Sequence, residues 1–254
     1  MIEGPNRNER LKPNIESASE KPLFKITLLR HGKALYEEVG NDLTPEGIEE
    51  ARAAGLRLVE SGDLENEEVF LFHSPAARAK GTLEIAAEEA GLDAENALPI
   101  TQLRTSDIHD QEAFDASIVA LAEKDGIDEY EAAAKHHYVD PMHADGVALE
   151  SHANKQKRLY RTFEYLARWV AHHQTVEGKT PHAIAVSHYE LITHIINDVF
   201  DITTFDTYRA PATGEAVEIS AYSYDEDSLR FVVSFRGQQK EVLFNRKARS
   251  IQQL

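Results

Sequence analysis

Short apolar runs, each followed within a few residues by a capped helical pattern, recur along this chain and restrict its architecture. Phe24 to Leu29 is such a run, and Thr44, Pro45 and Glu46 then read as N-cap, first helical residue and acidic first turn. Ile48, Ala51, Gly55 and Leu58 follow at helical spacing until Ser61 and Gly62 end the helix. The cycle repeats with a strand at Val69 to Phe72. Ser74 and Pro75 then cap a helix whose Ala79, Leu83, Ala86 and Ala90 share a face and which Gly91 closes. A third strand is expected over Leu98 to Leu103, and a long helix through Leu159, Phe163, Leu166 and Val170. A strand over His182 to Ser187 and a helix over roughly 190–199 complete the pattern. Strands that are apolar on both faces and alternate with helices belong to a parallel sheet covered on both sides. The expected fold is a three-layer α/β/α domain with a mixed, mostly parallel central sheet.

Two regions break the rhythm. Residues 104–150 are acidic, His-bearing and weakly periodic, which suits a lid insertion over the sheet edge. Residues 216–245 alternate instead, with Val217, Ile219 and Ala221, then Phe231, Val233 and Phe235, then Val242 and Phe244, and should add antiparallel strands. Residues 1–22 are polar and carry Pro5, Pro13 and Pro22, so they read as a tail ahead of one domain over 23–254. The basic end, Arg246 to Arg249, is expected to be a frayed terminus.

Composition removes several classes of function. The 254 residues hold 27 Lys plus Arg against 44 Asp plus Glu, a net charge of −17, whose field repels nucleic acid and anionic membrane alike. There is no cysteine, hence no disulfide framework, thiolate nucleophile or Cys-ligated metal. No apolar run approaches the roughly 20 residues of a membrane span, and the first residues lack the apolar stretch of a secretory leader. A cytoplasmic protein is expected, without nucleic-acid or membrane partners.

The chemistry concentrates where strands end. Arg30, His31 and Gly32 follow the first strand, Ser74 to Arg78 the second, and Ser187 and His188 the late one. Ligands of open α/β sheets bind outside the carboxyl ends of the strands, so separate segments deliver two histidines and two arginines to one rim. Two guanidiniums match the oxygens of a phosphate, and Arg78 in a first helical turn adds the dipole of free N–H groups. Gly32 would let the backbone approach a ligand closely. An uncharged imidazole is a competent nucleophile toward phosphorus, and a cationic one stabilises charge on the transferring group. The leaving oxygen needs a proton, so a carboxylic acid is expected close by.

These residues carry a family resemblance. Ile26 to Gly32, ending in Arg30-His31-Gly32, resembles the signature of the histidine phosphatase (phosphoglycerate mutase-like) superfamily. Leu43 to Gly47 with Ala51, Ser74 to Ala79 with Thr82, Leu149-Glu150-Ser151, and Val186-Ser187-His188 are similar to its later landmarks, in order, over residues 24–225. The resemblance implies that His31 is the phospho-accepting nucleophile, that Arg30, Arg78 and His188 form the phosphate pocket, and that no metal or other cofactor takes part. Gly32, Lys33 and Tyr189 are expected beside the substrate, a phosphorylated small molecule or phosphoprotein.

Departures from the family pattern bear on substrate. Mutase-type members usually continue with a Glu-Thr pair and an Asn, whereas here Lys33, Ala34, Leu35 and Tyr36 follow, with Asn41 further on. Ala34 is closer to the small protein-phosphohistidine phosphatases. Tyr189 stands where a Gly often follows the second histidine. The expected activity is therefore metal-independent phosphomonoester hydrolysis through a phosphohistidine, not phosphoglycerate mutation. Hydrolysis of a protein phosphohistidine or phosphoramidate is one alternative, and a catalytically quiet phospholigand-binding module another. Family members with a lid place a Glu after a Leu-Arg pair, but Leu103-Arg104 is followed by Thr105 and Ser106, so Asp107 is the expected proton donor, with Asp110 second. His136, His137, His143 and Asp145 match no zinc spacing, and His109-Asp110 reads as a lid turn.

Overall fold

The computed structural model describes residues 21–35, 43–60, 64–129, 132–133, 149–172, 176–201 and 210–254. Its parallel strands are β1 (Phe24–Arg30), β2 (Glu67–His73), β3 (Leu98–Pro99) and β4 (Thr180–Ser187). The antiparallel ones are β5 (Ala216–Ser223), β6 (Ser228–Phe235), β7 (Gln238–Asn245) and β8 (Ser250–Gln253). The helices are α1 (Pro45–Glu60), α2 (Ala77–Glu89), α3 (Gln111–Asp125), α4 (His152–His172) and α5 (Tyr189–Phe200). All eight strands form one sheet in the order β3-β2-β4-β1-β5-β6-β7-β8. Strands β1 to β4 run parallel, and β5 to β8 extend the sheet antiparallel beyond β1.

Alternation along the strands builds two cores. Ile26 and Leu28 face α4 and α5, where Leu159, Phe163, Leu191, Ile192 and Ile195 meet Phe231 and Phe244 of the antiparallel half. Leu29, Leu71, Ile184 and Val186 face the other way, onto Ala54 and Leu58 of α1 and Ala79, Leu83 and Ala86 of α2. Helices thus cover both sides, which is why the parallel strands carry no polar face.

Local signals hold with instructive exceptions. Thr44 caps α1 by accepting from Gly47 N at 3.0 Å, and Gly91 leaves α2 with φ of 69°. Ser74 does not cap α2; Ala76 occupies that position without a side-chain bond. The third strand shrinks to two residues, because Pro99 has no N–H for the ladder and Thr101–Leu103 turns into a 3₁₀ coil that buries Leu103. Arg246 to Arg249 is no frayed end but the turn between β7 and β8, with Arg249 at φ of 52°.

The insertion contains α3, capped by Asp110, whose carboxylate accepts from Ala113 N at 3.0 Å. Phe114, Ile118 and Ala122 form a stripe that packs with Leu149 into a small separate core. The two ends of the insertion meet: Ile108 bridges Leu149, and Glu150 N donates to Asp107 O at 2.7 Å. Residues 1–20, Tyr36, Asn41, Ser61, Gly62, His136, His137, His143 and Asp145 lie outside the described residues. No described helix is long and apolar enough to cross a membrane.

Candidate active site

The register of the sheet converges the strand ends. Arg30 lies opposite Ser187, His73 lies opposite Val186, and the ladder runs on with His31 N to Ser187 O at 3.0 Å and Ser74 N to Val186 O at 2.9 Å. The structure thereby places His31, Arg78 and His188 in mutual contact, with Arg30 beside them.

The donors and acceptors fix the tautomers. His31 Nδ1 donates to Gly32 O at 2.7 Å, which leaves the Nε2 lone pair to accept from Arg78 Nε at 3.2 Å. Arg78 Nη2 donates to His188 Nδ1 at 3.3 Å, so the proton of that ring sits on Nε2 and goes to Ser74 Oγ, 2.8 Å away. The two rings stand edge-on with centroids 5.0 Å apart. One guanidinium therefore spans both imidazoles.

Burial decides the charge. His31 is 2% exposed and His188 1%. Desolvation lowers His31 to about 4; the Gly32 carbonyl opposes this, Arg78 and Arg30 reinforce it, and Glu190 opposes it. Desolvation likewise lowers His188 to about 3, with Glu190 opposing and His31, Arg78 and Arg158 reinforcing. Both rings are neutral at pH 7. That state suits a nucleophile, whereas the cationic second histidine expected from sequence needs a bound anion to create it.

Arg30 donates through Nη1 to Pro211 O at 2.7 Å, and its guanidinium carbon lies 4.9 Å from the Tyr189 ring centroid. Its buried Nε makes no hydrogen bond, so one donor of the pocket is unspent. Tyr189 thus orients an arginine.

Two expected contacts fall elsewhere. Gly32 packs against protein: its N–H goes to Thr82 Oγ1 at 3.0 Å, and a Cβ there would sit 2.4 Å from Gly47 O. Lys33 turns outward, its Nζ 2.5 Å from Glu46 Oε2, while its N–H binds Glu50 Oε2 at 2.7 Å. Gly32 meets the site only through its carbonyl, which accepts from His31 Nδ1.

The expected proton donors are engaged. Asp107 accepts from Arg104 Nε at 2.8 Å and from Nη2, and that pairing holds its carboxyl below the usual range. The pairing disfavours the protonated form that a donor would need. Asp110 is spent as the α3 cap.

Sequence reasoning gave no role in the site to four neighbours. Ser74 fixes His188, and Thr82 ties Gly32 to α2, accepting from Gly32 N and donating to Arg78 O at 2.7 Å. Glu190 is buried at 6% exposure, its Oε1 accepting from Ser106 N at 3.2 Å and from Thr105 Oγ1. Arg158 grips Glu150 with two bonds of 3.0 and 2.6 Å and the carbonyls of Gln102 and Arg104 at 2.7 Å each. Ser74 and Thr82 stood among the family landmarks, and Glu190 is a charged residue two places after His188 in an otherwise apolar helix start; Arg158 carried no such signal. Among the described residues no group of three or more His, Asp or Glu side chains is placed to hold a metal ion.

Comparison with known proteins identifies the family and the fold. Residues 26–235 match the model of the histidine phosphatase superfamily (branch 1). No curated protein matches the chain by sequence. Among solved structures, a mycobacterial glucosyl-3-phosphoglycerate phosphatase is similar with a TM-score of 0.56 at 18% identity, over 83% of this chain and 97% of its own. A mycobacterial hydrolase gives 0.58 at 16%, over 85% and 99%. A phosphoglycerate mutase from Bacillus anthracis gives 0.51 at 18%, over 85% and 90%. At these identities the likeness concerns the fold. With most of its length matching the family model, the chain belongs to the histidine phosphatase superfamily, branch 1.

Proposed function

We propose that this protein hydrolyses phosphomonoesters through a phosphohistidine on His31, without a metal. The observation that carries the reading is the neutral His31, whose Nε2 lone pair points at the Arg78 guanidinium. A phosphate seated on Arg78 and the unspent Nε of Arg30 would lie against that lone pair. Nucleophilic attack forms the P–N bond as the ester P–O bond breaks. A bound dianion raises the proton affinity of His188, which then donates from Nδ1 to an equatorial oxygen while Ser74 holds Nε2. Water displaces the phosphate from His31 in the second half.

Hydrolysis is our reading over mutation because the two residues after Gly32 are Lys33 and Ala34, and Lys33 faces Glu46 away from the pocket. The substrate is a phosphorylated small molecule or phosphoprotein, met in the cytoplasm. The engagement of Asp107 by Arg104 favours one second reading, phosphoramidate or phosphohistidine hydrolysis, whose leaving nitrogen needs less help from an acid.

The test is p-nitrophenyl phosphate hydrolysis with and without EDTA, comparing wild type with His31→Ala. EDTA-resistant turnover that falls to background in the variant is expected, with an alkali-stable phosphoenzyme in the wild type alone. Turnover surviving in His31→Ala refutes the mechanism. Phosphate-analogue binding without turnover indicates a binding module.

A further inference from the structure

We propose that Glu50 is a positioning residue that sets the Arg30 guanidinium against His31, an assignment that rests on the reading of Arg30 as a phosphate ligand above. The guanidinium is directed by the Pro211 carbonyl, 2.7 Å from Nη1, and by the Tyr189 ring, and its buried Nε is left for an anion. Where Arg30 points therefore depends on the segment that carries Pro211. Residues 210–215 run into β5 and are moored from two sides. On one side Arg236 binds the Glu215 carboxylate with two bonds of 2.7 Å and the Ala210 carbonyl at 3.0 Å. On the other side stands α1, where Glu50 Oε1 accepts from Thr213 Oγ1 at 2.5 Å and Arg57 Nη2 donates to Gly214 O. Gly214, at φ of 71°, packs so closely that a Cβ would lie 2.9 Å from the Glu50 carbonyl oxygen.

Glu50 differs from the other moorings because its second oxygen serves the nucleophile's side. Oε2 accepts from Lys33 N at 2.7 Å, two residues beyond His31. Helix geometry explains the reach. Gly47 and Glu50 are three apart on α1 and share a face. With no side chain at Gly47, that face closes onto Lys33, whose carbonyl oxygen would lie 2.0 Å from a Cβ there. One carboxylate thus joins the backbone leaving His31 to the loop that directs Arg30.

The link matters because the phosphorus must be held in line with the attacking Nε2. A misplacement of about 1 Å costs on the order of 10²-fold in such a reaction. A carboxylate suits the task, since it offers two acceptor oxygens in fixed relation and its charge strengthens both bonds. Glu50 itself touches neither imidazole nor ligand; it acts through Pro211 and Arg30.

The test titrates inorganic phosphate into the full chain by calorimetry and follows p-nitrophenyl phosphate turnover beside it. Glu50→Ala removes both acceptors and should weaken phosphate about tenfold, with KM rising in parallel. Glu50→Gln should restore most of that affinity, because its carbonyl can serve Lys33 N while its amide donates to the rotatable Thr213 hydroxyl. Arg30→Lys keeps a charge for phosphate but loses the guanidinium that Pro211 directs. In that background Glu50→Ala should change the affinity by less than about twofold. Lower stoichiometry and kcat with unchanged Kd and KM would mean lost active protein alone, and that result overturns the assignment. An equal loss of affinity in the Arg30→Lys background overturns it too, as does a Glu50→Ala affinity equal to wild type. Phosphate binding without turnover in the wild type overturns the phosphatase reading, while the Glu50 assignment is still decided by the affinities. A wild type that neither binds phosphate nor turns over substrate overturns both.

Discussion

Arg158 holds both ends of the insertion at once. It pairs with Glu150 where the chain re-enters the domain and binds the Gln102, Arg104 and Thr105 carbonyls where it leaves. Both charged side chains are nearly dry, at 7% and 6% exposure. Arg158→Met preserves length and removes the charge, stranding a buried carboxylate. Breaking one side of such a pair costs about 3–5 kcal/mol. That range already includes the other bonds of the removed partner, here to three carbonyls. We expect a net loss of about 4 kcal/mol, which for a domain of this size is roughly a 10 °C fall in Tm. Urea unfolding of wild type, Arg158→Met, Glu150→Gln and the double variant measures it. The double variant should cost less than the two singles together, because the charges are missed only when one remains. A single-variant loss below about 1 kcal/mol, the range of exposed pairs, would refute a buried clamp, and so would simple additivity.

Two further outcomes follow from burial and close packing. His31, His188 and His194 all have proton affinities depressed by desolvation, so the unfolded chain binds protons that the native state refuses. The stability they provide is complete above their unfolded value and is lost as pH falls from about 6.5 toward 4. Between about pH 7.5 and pH 5, His31 and His188 should each cost about 2 kcal/mol, with His194 adding in the same direction. Urea midpoints at the two pH values check this; a wild-type slope no steeper than that of a His31→Asn/His188→Asn variant would contradict it. Gly47→Ala swaps a poor helix former for the best one, yet its Cβ would lie 2.0 Å from Lys33 O, so it should destabilise by about 2 kcal/mol or more. A neutral or stabilising result in thermal melts would show that the contact between Gly47 and the Lys33 backbone yields easily.

How far the residues announced this arrangement depends on the range of the interaction involved. Arg30, His31, Arg78 and His188 were legible because strand ends are readable from apolar runs, and the parallel register then gathers those ends without further information. Gly32 was read as a seat for a ligand, but its neighbour is Gly47, and contact between two backbones leaves no mark in periodicity. Asp107 was the first carboxylate of its loop, and only its distance to Arg104 shows that it is paired. The α3 stripe of Phe114, Ile118 and Ala122 is four-residue spacing that a separate small core makes sense of. Strand β8 escaped notice because Gln252 and Gln253 form an exposed edge, where alternation weakens.

The bridge that Arg78 makes between the two imidazoles also sets a threshold for entry. Any anion taking its place must first detach the guanidinium from His31 and His188, so part of its binding energy replaces contacts already present. A doubly charged tetrahedral group recovers that expense by engaging both arginines together. Chloride or a simple carboxylate, with one charge and fewer oxygens, recovers much less. On the proposed phosphatase reading, abundant small anions should therefore be weak competitors, a screening by valence that precedes the shape of any lid.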